Sequence, residues 1–119
     1  VNLTKYYGGY KVSVINEYVL ENGQYRLLKT EHVGNSFYFN GDFVYFKRGQ
    51  NADWLGRKIT YKMFNSYMNT HSYNTDYGSV FIDKDFKYII MLDETNPVGG
   101  KTRKYEYIIG DYDKNIIPN

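Results

Sequence analysis

Apolar and polar side chains alternate with a period of two through most of the chain, which is the pattern of half-buried β-strands. In residues 10–20 the even positions are largely apolar, and Asn16, which interrupts them, predicts a β-bulge. The inward face of this strand is predicted to carry Tyr10, Val12, Val14, Tyr18 and Leu20. Seven more predicted strands cover residues 25–31, 36–40, 43–47, 58–64, 79–83, 86–93 and 103–109.

Short turn sequences separate several of these strands. Asn22-Gly23 lies between the first two, and a type I′ hairpin turn favours this dipeptide because both central residues need positive φ. Residues 40–42 (Asn-Gly-Asp) predict a second hairpin, residues 84–85 a third, and residues 96–100 form a turn cluster. Because strands joined by short turns usually pair with their neighbours, we expect an antiparallel meander.

Two of the later strands have a predicted core face. In residues 58–64 the alternation places Ile59, Tyr61 and Met63 on one side, opposite lysine and threonine side chains. In residues 86–93 the shared face is predicted to carry Phe86, Tyr88, Ile90 and Leu92.

The polar stretch 65–78 shows neither the helical nor the strand period and, with 14 residues, predicts a long loop. Long loops in compact domains often carry binding residues. This loop is rich in tyrosine, and the single tryptophan lies in the connection 49–56. Aromatic rings beside amide and hydroxyl groups suit sugars or peptides, although tyrosines can also simply cap the ends of a barrel. The candidate ligand-binding residues are Trp54, Tyr67, Met68, Tyr73 and Tyr77.

The composition favours the same fold class. Strand-favouring residue types (Val, Ile, Thr, Tyr, Phe and Trp) make up 47 of the 119 residues, whereas alanine, the best helix former, occurs once. We therefore expect an all-β, single-domain antiparallel meander of about eight strands, a small barrel or a two-sheet sandwich, with little or no helix. Residues 1–110 are predicted to form the β domain and 111–119 a flexible C-terminal tail or the start of a linker.

Charge and residue content exclude several classes of function. A net charge of +2 gives no strong electrostatic footprint for nucleic acid, and the lack of cysteine excludes thiol catalysis and thiolate zinc sites. The longest apolar run, residues 88–92, is too short to span a bilayer, so no transmembrane segment is expected. Because the chain begins at Val1 rather than Met, we expect a processed protein, secreted or located in the cell envelope.

Two sequences resemble nucleotide-binding motifs but lack their essential parts. Residues 98–102 end in the Gly-Lys-Thr of a phosphate-binding loop, but Thr95 stands where the first glycine is needed and a strand follows instead of a helix. Residues 43–46 match the end of the aromatic strand that stacks on RNA bases, yet the upstream half is missing. A turn and a core strand are the better interpretations.

Metal sites are also incomplete in the sequence. Residues 111–115 have the 1, 3, 5 spacing of a calcium loop, but Ile116 replaces the required glycine. His32 and His71 lie in no recognisable ligand spacing. We therefore expect no metal and no cofactor.

The leading functional hypothesis is a non-enzymatic binding or accessory domain. It would engage a sugar, a peptide, a small apolar molecule or a protein partner through the aromatic-polar loops at one end of a barrel, which could also enclose a ligand. The alternative is a structural or assembly subunit that associates through an exposed strand edge. A hydrolase with acidic residues at strand ends is the third hypothesis.

Overall fold

The computed structural model describes residues 3–76, 78–98 and 101–118, with residues 93–98 described through their backbone. Eight strands form one antiparallel sheet in which each strand pairs with the next and the last pairs with the first. The strands are β1 (Gly8–Glu21), β2 (Gln24–Phe39), β3 (Phe43–Lys47), β4 (Trp54–Asn65), β5 (Thr70–Thr75), β6 (Gly78–Asp83), β7 (Tyr88–Val98) and β8 (Lys101–Tyr112). The predicted all-β meander is confirmed, and it closes as a barrel.

The hairpin turns follow the sequence signals. Asn22 and Gly23 have φ values of 52° and 78°, as a type I′ turn requires. At the second turn, Gly41 has a φ of 89°, and the Asn40 side-chain oxygen accepts hydrogen bonds from the amides of Asp42 and Phe43 at 3.0 and 2.8 Å. The third turn joins β6 to β7 as predicted.

Register shifts overturn part of the predicted inward face of β1. Its pairing with β2 shifts between Val12 and Val14, so the barrel interior receives Tyr10 and Val12 and then Ile15 and Val19. The prediction that Val14, Tyr18 and Leu20 face inward was therefore wrong, and so was the bulge at Asn16. One extra residue moves every later side chain to the opposite face of a strand.

A register shift also corrects the predicted face of β4, and the predicted face of β7 was wrong for a different reason. A register shift between Ile59 and Tyr61 leaves Ile59 packed on the core but exposes 57% of Tyr61 and 51% of Met63. In β7 the core receives Ile89 and Met91. The predicted shared face failed there because Phe86 belongs to the preceding turn, whereas Tyr88, Ile90 and Leu92 alternate with Ile89 and Met91 along the strand. Ile90 is nevertheless buried, at 8% exposed.

The predicted long loop 65–78 is mostly a strand, which corrects the interpretation of this segment. A turn at residues 66–69 is followed by β5, which pairs with both β4 and β6. The alternation was not visible because the inward residues of β5 include His71 as well as Tyr73. The number of strands still agrees with the prediction because residues 25–31 and 36–40, predicted as two strands, are the single strand β2.

Aromatic packing closes one end of the barrel, called the closed end below. The turns after β2, β4 and β6 lie there, together with a 3₁₀ turn, Thr4–Tyr6. The Phe86 ring stacks on Tyr6 at 4.9 Å between centroids, and it also contacts Tyr10 at 4.9 Å and Phe37 and Phe39 at 6.0 Å each. The interior at this end is therefore filled by side chains.

The opposite end, called the mouth, has an uneven rim. β3 pairs with residues 36–39 of β2, and β6 pairs with residues 89–91 of β7. β1, β2, β7 and β8 continue beyond these pairings, and residues 24–35 of β2 pair with β1 alone within the described chain. A four-stranded sheet of β1, β2, β7 and β8 therefore extends beyond the rest of the barrel at the mouth, and β2 forms a free edge of it.

Candidate functional site

The side chains that face the barrel interior change from apolar to charged towards the mouth. Ile15 lies opposite Tyr107 of β8 and Glu31 of β2. One inward position further along β1, Glu17 lies opposite Tyr105 and Lys29. The same faces of β1, β2 and β8 therefore build an apolar floor first and a charged wall above it.

A cavity of about 260 Å³ occupies this position, and we call it the mouth cavity. It is lined by Ile15, Glu17, Lys29, Glu31, Val33, Asn35, Arg48, Tyr105 and Tyr107. Its floor is rigid because the Tyr107 ring, 1% exposed, packs on Phe46 at 4.8 Å between centroids. The cavity thus combines a packed apolar base with polar side walls, an arrangement typical of small-molecule sites.

Four charged side chains form a connected chain along the wall. The Glu17 carboxylate lies 3.5 Å from Arg103 Nη1 and 3.9 Å from Lys29 Nζ, and Lys29 Nζ lies 2.8 Å from Glu31 Oε1. That hydrogen bond to Glu31 raises the pKa of the Lys29 ammonium. The Glu17 and Arg103 side chains are only 14% and 17% exposed, so this network carries a desolvation cost that a purely structural barrel does not need.

Arg48 gives the mouth cavity a positively charged side chain that can bind a ligand. It follows β3, it is exposed, and it forms no ion pair with any carboxylate of the described residues. The planar guanidinium presents several N–H donors in a fixed geometry. Arg48 is therefore available to bind an acceptor group of a ligand, while Asn35 offers a neutral polar contact beside it.

The structure does not bring the sequence-predicted site residues together. Trp54 lies at the mouth end against Tyr45, with ring centroids 6.5 Å apart, and Lys47 Nζ lies 5.9 Å from its centroid. Tyr67 and Met68 lie in the turn between β4 and β5 at the opposite end, where Tyr67 is 96% exposed.

The remaining two predicted site residues are Tyr73 and Tyr77. Tyr73 points into the barrel, is 5% exposed and lines a second cavity near the closed end. Tyr77 lies outside the described residues. A binding role for these five residues stays a prediction, but the four that the structure describes do not form one surface.

Sequence reasoning missed the charged wall because its residues come from strands whose registers contain bulges. The Asn22-Gly23 turn fixes the pairing near the hairpin tip, but the shift beyond Tyr18 sets Glu17 opposite Lys29, a pairing that turn counting does not give. The available signal was Glu17 itself, a charge at an odd position of β1. The alternation assigns the even positions to the core and therefore predicts that Glu17 faces solvent.

The histidines and the acidic tail add no clear metal site. His32 is exposed and His71 is buried. Asp113 uses its side-chain oxygen to accept the Asn115 amide at 2.9 Å, as an ordinary turn does. In the described parts of the chain, no three His, Asp or Glu side chains lie close enough together to hold a metal ion.

Comparisons give this chain no relative: no family model matches it, and neither a curated protein nor a solved structure does. Among residues 3–76, 78–98 and 101–118, no helix is long and apolar enough to cross a membrane.

Proposed function

We propose that this protein is a non-enzymatic binding domain that holds a small ligand in the mouth cavity. The observation that carries the proposal is the charged network on the inward strand faces above the packed ring of Tyr107. Charged residues on an inward face lose hydration, and ion pairing does not always repay that cost. Both described carboxylates of the cavity, Glu17 and Glu31, are ion-paired, which supports binding rather than acid–base catalysis.

The size of the mouth cavity limits the ligand. An apolar cavity of about 150 Å³ accepts benzene, so the roughly 260 Å³ measured here suits one ring or short chain with polar substituents. The apolar part would rest on Ile15, Val33 and Tyr107. A hydrogen-bond acceptor on the ligand would face Arg48.

Chemical-shift mapping on the ¹⁵N-labelled protein tests this proposal. A library of single-ring compounds with neutral, anionic, cationic and zwitterionic substituents should include members that shift the amides of Ile15, Val33 and Tyr107. Val33→Trp, which fills the cavity, should abolish these shifts. The matched control His32→Trp places the same ring on the exposed neighbouring position and should retain them.

Two results would refute the proposal. One is that no compound shifts the mouth amides at millimolar concentration. The other is that Val33→Trp and His32→Trp bind equally well, which would place the ligand outside the mouth cavity.

The free edge of β2 supports a second candidate function, assembly by strand addition. Tyr25, Leu27 and Leu28 on this strand are 37%, 50% and 42% exposed. If two copies paired antiparallel about Thr30, Lys29 of each copy would lie opposite Glu31 of the other. Such self-complementarity is what a twofold interface requires.

Charge exchange tests the assembly candidate by sedimentation. The unmodified chain should dimerise, Glu31→Lys should weaken the dimer by placing like charges opposite each other, and the double variant K29E/E31K should restore it. A chain that stays monomeric at millimolar concentration would remove this candidate.

A further inference from the structure

A second cavity, of about 290 Å³, lies at the side of the closed end, and we call it the seam cavity. Pairing between β3 and β4 ends at Phe43 and Lys58, and the last backbone contact there is the Ile59 amide donating to the Asp42 carbonyl at 2.8 Å. Beyond this point the described pairing of β4 is with β5. The N-terminal segment crosses the resulting gap. The seam cavity lies between this segment and the strands that border the gap.

The seam cavity is separate from the mouth cavity. The two share no lining residue, and they are built by opposite ends of the barrel. A ligand can therefore occupy one cavity without touching a lining residue of the other.

The walls of the seam cavity are largely aromatic. Phe39, Phe64 and Tyr73 line it, and the Tyr7 ring stands edge-on to Phe39 with centroids 5.2 Å apart. A ring can therefore be covered on more than one side by apolar surface. Stacked and edge-to-face ring contacts add to the gain from burying that surface.

His71 contributes a buried polar atom that lacks a partner. The side chain is 7% exposed, its ring stands against Phe64 at 5.1 Å between centroids, and Nε2 has no hydrogen-bond partner among the described residues. Burial lowers the pKa of His71, which keeps the ring neutral at neutral pH. The Nε2 atom itself is screened from solvent, so His71 lines the cavity as part of its aromatic wall.

The other polar groups of the seam cavity are donors. Burial raises the pKa of Tyr73 to about 12, so its phenol stays protonated, and Tyr7 supplies another phenol. Lys62 lies opposite Tyr73 in the sheet and forms no ion pair with a described carboxylate. Among the described residues, no acidic side chain lines the cavity. Recognition here consequently favours a ligand rich in acceptors and negatively charged.

We propose that the seam cavity is a binding site for a small aromatic carboxylate of the benzoate class. The ring lies among Phe39, Phe64 and Tyr73, and the carboxylate accepts hydrogen bonds from Lys62 and from the Tyr7 hydroxyl. A cavity of this volume holds a single substituted ring, as the comparison with benzene above indicates. Charge-assisted hydrogen bonds to Lys62 give the preference for the anion.

The test is an NMR titration of the full ¹⁵N-labelled chain with four probes: benzoate, benzamide, benzylamine and acetate. Benzoate should shift the amides of Phe39, Lys62, Phe64 and Tyr73. It should bind about fivefold more tightly than benzamide, because a hydrogen bond between charged groups is stronger than a neutral one. Benzylamine should be rejected for its positive charge, and acetate should bind weakly because it lacks the ring.

Lys62→Gln separates charge recognition from folding because Lys62 is exposed. The variant should lower benzoate affinity to the level of benzamide without changing benzamide affinity. Lys58→Gln, an exposed lysine on the same strand outside the cavity, is the matched control and should change neither.

Equal affinity of benzoate and benzamide, or benzoate affinity unchanged in Lys62→Gln, would overturn the proposal. So would the absence of shifts around the seam cavity with all four probes. Shifts at Ile15 and Val33 report on the mouth cavity instead, so the two proposals fail or succeed separately.

Discussion

Phe86 holds a large aromatic ring in the core from a backbone conformation that such residues rarely adopt. Its φ is 60°, the ring is 4% exposed, and its amide donates to the Asp83 carbonyl at 2.9 Å. The left-handed conformation costs an L-residue roughly 1–2 kcal/mol. Burying the ring contributes about 1.5–3 kcal/mol, so packing against Tyr6, Tyr10 and the core phenylalanines offsets the strain.

We expect Phe86→Ala to lower the free energy of unfolding by about 3–5 kcal/mol, because it opens a cavity at the closed end. Phe86→Gly removes the same ring but relieves the backbone strain, so it should be about 1 kcal/mol more stable than Phe86→Ala. Urea denaturation measures both values. Tyr67→Ala, at a fully solvated turn, is the control and should stay within about 0.5 kcal/mol of the parent. A glycine variant no more stable than the alanine variant would contradict the strain argument.

His71 should make stability depend on pH. Burial lowers the pKa of His71 in the folded chain below its ordinary value of 6.5, so the unfolded chain binds the proton more tightly. The free energy of unfolding should therefore fall as the pH drops below about 6.5, and this loss is absent above it. His71→Phe should flatten the profile between about pH 7 and pH 5, as measured by urea denaturation, relative to the parent.

At the scale of the elements, the residues that follow β8 are hydrogen-bonded to the first strand. The Asp113 amide donates to the Gly9 carbonyl at 2.9 Å, and β8 continues two residues past the domain boundary expected at 110. A Cβ atom on Gly9 would overlap the Ile116 backbone and side chain. The absence of a side chain at Gly9 is therefore what lets residues 113–116 lie against β1.

We expect Gly9→Ala to displace the C-terminal residues without unfolding the barrel. Hydrogen exchange at the Asp113 and Ile116 amides should become faster, while that of the core strands stays slow. Gly34→Ala is the matched control, because a Cβ atom at Gly34 would meet no atom within 4 Å. Unchanged exchange in the Gly9 variant would mean that the tail contact does not hold in solution.

The sequence predicted elements wherever the deciding interaction is local. The Asn22-Gly23 turn and the residue 40–42 turn were recognisable because they contain asparagine and glycine, which readily adopt positive φ. Bulges could not be recognised from the local sequence, because the position of the extra residue depends on how the strand pairs with strands that are distant in sequence. The candidate site depended on those bulges, so Glu17 and Lys29 could not be placed in one cavity from the chain alone.

At the scale of the whole molecule, the barrel is closed in one half and open in the other. Aromatic rings fill the closed end, whereas the overhanging sheet at the mouth leaves residues 24–35 of β2 with one neighbour among the described strands. Proteins usually protect such edges with charges and bulges, and Arg26, Lys29 and the register shift at Leu27 do so here. The free edge and the mouth cavity share Lys29 and Glu31.

Hydrogen exchange should reveal this asymmetry. Residues 15–19 of β1 lie between β2 and β8, so their amides should all be protected. On each side of the extra residue Leu28, the amides of residues 25–31 of β2 should instead alternate between slow and fast exchange, because every second amide points away from β1. Alternation that disappears at high protein concentration would favour assembly through this edge, and uniform protection in a dilute monomer would contradict the free edge.

Closure of the ring also bears on how the chain folds. Seven of the eight strand pairings join neighbours in sequence, but β1 with β8 joins the two ends of the meander. There the Asn16 side-chain Nδ2 donates a hydrogen bond to Glu106 Oε1 at 2.9 Å, across 90 residues of sequence. Hairpins form within microseconds, whereas a contact of this separation must first overcome the entropy of a very long loop. The meander should therefore assemble progressively from its hairpins, and the barrel can close only after β8 has left the ribosome.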